Sequence, residues 1–86
     1  MNGMWSYAKY VIIRPGQKPV EGRTGYDCIP ELAAWILRLN LHPGDMFKLE
    51  FGRFFKNTTW LNACISPAGL KAEKQSDQRL IVVVRK

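Results

Sequence analysis

The chain has 86 residues, enough to enclose one modest core and too few for two. A hydrophobic fraction of 47%, a charged fraction of 23% and seven glycines exclude a disordered or fibrous polymer and fit an ordinary globular domain spanning 1–86. The formal net charge of +6 and a pI near 9.7 favour partners rich in phosphate or carboxylate, and the same surplus serves solubility.

The opening MNGMWSYAKY holds no uninterrupted apolar run and no small-residue cleavage site, so a signal peptide is not expected. No stretch approaches the roughly 18 apolar residues that a membrane span requires. The two cysteines, Cys28 and Cys64, fall short of the framework of a small secreted protein. The chain therefore reads as cytoplasmic, with both thiols reduced.

Residues 7–14, YAKYVIIR, are rich in β-branched and aromatic side chains and stop at Pro15-Gly16, which predicts a first strand. Residues 15–26 hold two prolines and three glycines and are expected to form a loop. From Pro30, Leu32, Trp35, Ile36 and Leu39 recur at the spacing of one buried helical face. Pro30 suits the first turn, Asp27 and Glu31 suit the positive end, and Arg38 suits the negative end. Asn40 can close the helix before Pro43-Gly44 ends it.

MFKLEF, residues 46–51, alternates, with Phe47, Leu49 and Phe51 on one face. Gly52 is expected to mark a bulge, since Phe54 and Phe55 are adjacent after it. A hairpin loop over 56–58 would then lead to a strand, TWLNACI, at 59–65. Residues 66–78 read as a polar connection with a short turn of helix, and RLIVVVR at 79–85 as a central strand covered on both faces. The expected fold is α+β: one amphipathic helix packed on a mainly antiparallel sheet of about four strands, in the order β-α-β-β-β.

Little in the chain suggests catalysis. His42 is the one histidine and has no evident partner for acid–base work. Cys28, His42 and Cys64 are not at metal-ligand spacing, no phosphate-binding glycine loop is present, and the seven acids do not cluster. No cofactor and no metal are expected, and the chain reads more readily as a binding protein than as an enzyme.

The basic residues carry more information. Lys9, Arg14, Lys18 and Arg23 fall within a short stretch offset by Glu21 alone, and Lys48, Arg53 and Lys56 flank Phe51, Phe54 and Phe55. Cations interleaved with aromatic rings suit a nucleic-acid strand, whose bases stack while its phosphates meet the charges. The same residues also suit a plainer role, with phenylalanines in the core and lysines on a solvated face. Lys9, Arg14, Lys18, Arg23, Arg53 and Lys56 are the candidate phosphate contacts. Trp35 belongs to the helix core, whereas Trp5 and Trp60 are candidate anchors for a partner.

Residues 29–50, with Ile29-Pro30 opening a short helix, Trp35 and Leu39 on its face, and Pro43-Gly44-Asp45 feeding the strand Phe47 to Phe51, resemble the centre of the AbrB-type swapped-hairpin proteins, especially the SymE-like toxins. The closing Ile81-Val82-Val83 would be the last strand. The resemblance implies a homodimer of interlocked hairpins that binds DNA through basic residues near its early strands. Residues 52–78 depart from that pattern. The expected function is thus a small basic nucleic-acid-binding protein, either DNA-binding or toxin-like, and dimeric. One alternative is an inhibitor of the kind encoded by phages or mobile elements, directed at an acidic protein surface. The other is a ribonuclease-type toxin.

Overall fold

The computed structural model describes residues 6–75 and 79–85. Strand β1 (Ser6–Ile13) turns at Pro15-Gly16, where Gln17 N–H bonds back to Arg14 C=O at 3.1 Å and Gly16 adopts φ 74°. The chain then returns as strand β2 (Val20–Tyr26), antiparallel to β1 with Ile12 opposite Val20 and Lys9 opposite Arg23. A loop was expected here. Glycine weakens an isolated strand, but β1 holds β2 in register, and the Tyr10 ring lies over Gly22 so closely that a Cβ there would come within 2.5 Å of its hydroxyl.

Helix α1 (Ile29–Arg38) forms where the periodicity places it, with Pro30 in its first turn and Ile29, Leu32, Ala33 and Ile36 buried. Asn40, at φ 55°, ends it. Strand β3 (Met46–Phe51) follows and pairs with β1.

The segment expected to be a strand at 59–65 is instead helix α2 (Thr58–Ile65). Its buried residues, Thr58, Leu61 and Ile65, sit at the i, i+3, i+7 spacing of a helical face. Packing on that face outweighs the strand preference of its threonines and Trp60. A short 3-10 turn over Ser66–Ala68 and Gly69 at φ 82° lead into strand β4 (Leu70–Gln75), where a polar connection was expected. Strand β5 (Leu80–Arg85) closes the fold.

The five strands form one antiparallel sheet in the order β2-β1-β3-β5-β4. The fold is α+β, as expected, with five strands and two helices among the described residues. One core joins Leu32 and Ile36 of α1, Leu61 and Ile65 of α2, and Ala8, Ile12, Phe47, Leu49, Ile81 and Val83 of the sheet. Both helices therefore lie on one face. Strand β5 is interior; among the described residues both helices lie on the face of Ile81 and Val83, while on its other face Val82 is buried and Val84 half-buried.

Three polar side chains fasten these elements to one another. Arg14 donates to Asp45 and to Leu39 C=O. Arg85 Nε donates to Leu41 C=O at 2.8 Å. The Asn62 amide donates to Ala72 C=O at 2.9 Å and accepts from Ala72 N–H at 2.8 Å. Among the described residues, no helix is long and apolar enough to cross a membrane.

Candidate nucleic-acid interface

At the end of the sheet where β3 runs out, Lys9 of β1 stands between Arg23 of β2 and Glu50 of β3. These three, with Ala8, Phe51 and Gly52, line an open depression of about 230 Å³. Gly52 passes the chain to Arg53, and the next residues split by burial. Phe55 turns inward and stacks on Phe51 with ring centroids 4.3 Å apart, nearly parallel at 14°. That stack pins the connection to the core and leaves its neighbour Phe54 pointing out, 54% exposed. Arg53 and Lys56 are exposed on either side.

Two residues into α2, Trp60 is 51% exposed. Phe54 and Trp60 are thus two large rings presented to solvent within one short stretch of chain that also carries two exposed cations. No Asp or Glu occurs between Glu50 and Glu73 in the chain. The first turn of α2 carries no acidic residue, so the positive end of its dipole adds to the local potential.

The six candidate phosphate contacts do not form one patch. Lys9 and Arg23 stand on the open face beside the depression, and Arg53 and Lys56 lie in the connection that leaves β3 for α2, which packs on the other face of the sheet. Lys18 lies in the β1–β2 turn, five residues before Arg23 and up to roughly 17 Å from it along the strand direction. Arg14 is engaged in the structural contact with Asp45 and Leu39. Trp5 lies outside the described residues. The open sheet face as a whole is close to balanced, since Lys9, Arg23, Lys48 and Lys71 alternate there with Glu21, Glu50 and Glu73. Lys71 and Glu73 pair directly at 3.4 Å.

Of the three phenylalanines that suit either a core or a stacking role in the sequence, Phe51 and Phe55 are core and Phe54 is exposed. The adjacency of Phe54 and Phe55 was the available signal, because two neighbouring side chains in extended chain cannot both face inward.

His42 Nδ1 stands 3.8 Å from Asp45 Oδ2, and that oxygen also accepts from His42 N–H at 2.9 Å and from Arg14 Nη1 at 3.4 Å. Among the described residues, no group of three or more His, Cys, Asp or Glu could hold a metal ion. Cys28 is exposed, Cys64 is half-buried on α2, and both are free. Comparison with known protein families, curated proteins and solved structures gives no match.

Proposed function

We propose that this chain is a small cytoplasmic binding protein that takes single-stranded nucleic acid on the connection between β3 and α2. The observation that carries the reading is the exposure of Phe54 and Trp60 beside Arg53 and Lys56, in a run of chain free of carboxylates. Each exposed ring offers a stacking platform worth about 1–3 kcal/mol per base, with no demand on sequence. Arg53 and Lys56 meet phosphates, and Lys9 extends the track into the depression on the open face. The resemblance of residues 29–50 to a DNA-binding family is in keeping with this reading.

Anisotropy of a labelled single-stranded oligonucleotide, titrated at several salt concentrations, tests it. Three phosphate contacts give a log–log salt slope of roughly −2 for a single strand. Absence of binding at low salt ends the proposal.

Glu50 in the depression favours a second reading, a protein partner engaged by the same aromatic and arginine side chains. A stable protein complex that persists after nuclease treatment would support an inhibitor role and displace the first reading.

A further inference from the structure

The two edges of the sheet are treated differently. At β4 the Asn62 amide bonds both backbone groups of Ala72, occupying the positions that another strand would use. Natural sheets guard their edges against strand addition by such means. β2 is the other edge strand, and over Val20 to Thr24 no described strand pairs with its outer side. These five residues include no proline, and Val20 at their start is 53% exposed on the helix side of the sheet.

We infer that β2 pairs with β2 of a second copy of this chain, antiparallel, about a two-fold axis through Gly22. The five residues VEGRT, Val20 to Thr24, are self-complementary in that register. Glu21 falls opposite Arg23 of the second copy, Arg23 falls opposite its Glu21, and both pairs lie on the open face. On the helix side, Val20 falls opposite Thr24 of the second copy, a cross-strand contact between two β-branched side chains. Gly22 meets Gly22, each beneath its own Tyr10 ring.

Moving the axis by one residue in either direction sets Glu21 against Glu21 or Arg23 against Arg23, and like charges directly opposite are destabilising. Charge thus selects one register. A two-fold contact is isologous, so one edge supplies both halves. The sheet becomes continuous across the two copies, with both helical layers on the same side.

Sedimentation equilibrium of the full chain, without nucleic acid and at low salt, reads this directly and separately from the proposed binding function. The expected result is a concentration-dependent dimer. Glu21→Arg and Arg23→Glu should each shift it to monomer, while the combined charge swap restores it. Circular dichroism of each variant confirms that it is folded, and the restored dimer of the double variant independently excludes misfolding as the cause. A wild-type chain that stays monomeric at every concentration overturns the inference and leaves the edge to an extended peptide of another protein. A dimer unaffected by either single substitution also overturns it, since pairing would then use another surface.

Discussion

Arg14 Nη1 donates to Asp45 Oδ2 at 3.4 Å, a contact that ties the chain leaving β1 to the residue entering β3. Asp45 is only 6% exposed and Arg14 28%, so water competes weakly for the carboxylate. The same guanidinium reaches Leu39 C=O at 3.2 Å, and the same carboxylate accepts from His42 N–H at 2.9 Å. One ion pair therefore joins the first turn of the sheet, the end of α1 and the tight turn before β3. It uses a cation that the sequence offers equally well for phosphate binding.

Asp45→Ala removes the acceptor of two donors and leaves Arg14 half-buried without its partner. A loss of about 2–3 kcal/mol is expected. Urea unfolding should show a lower midpoint at unchanged slope. Arg14→Met combined with Asp45→Ala should cost less than the sum of the single changes, because the two groups act as one pair.

Phe54 and Phe55 should behave oppositely although they are neighbours. Phe55→Ala removes the stack on Phe51 from the core and should destabilise by about 3 kcal/mol or more. Phe54→Ala should leave stability within about 0.5 kcal/mol, as for other surface positions. Its effect should appear in oligonucleotide affinity, lowered roughly five- to hundredfold, with a similar loss for Trp60→Ala. Thermal melts and anisotropy titrations on the same samples separate the two roles.

Replacing Arg53 and Lys56 together by glutamine should make the log–log salt slope of binding shallower by about 1.4, the share of two phosphate contacts on a single strand. An equal substitution at Lys18, in the β1–β2 turn, should leave the slope unchanged.

Gly22→Ala should be destabilising by about 1–3 kcal/mol, because the new methyl group must displace a Tyr10 ring held edge-on against Trp35 at 5.0 Å. Near-ultraviolet circular dichroism would register the disturbed Trp35 environment. A variant as stable as wild type with an unchanged spectrum contradicts this account.

Asn62→Ala should lower stability by about 1–2 kcal/mol through loss of two hydrogen bonds to Ala72. It should also unblock the β4 edge, raising light scattering on prolonged incubation.

The sequence by itself determined the α+β class, helix α1, strands β1, β3 and β5, and the inward set Phe47, Leu49 and Phe51, because α1 and β3 are written in local periods of 3.6 and 2 residues and β1 and β5 in short runs of β-branched and other apolar side chains. It did not determine β2 or β4. The segments VEGRTGY and LKAEKQ have little strand preference of their own and become strands by pairing with β1 and β5. Helix α2 was misread as a strand because its β-branched and aromatic residues spoke for one state while the spacing of Leu61 and Ile65 spoke for the other, and contact with the core decided. The separation of Lys9 and Arg23 from Arg53 and Lys56, and the diversion of Arg14 into a structural pair, likewise came from the tertiary fold alone. Charge is a property of residues, but whether charges meet depends on strand order and register, which arise from contacts between distant parts of the chain.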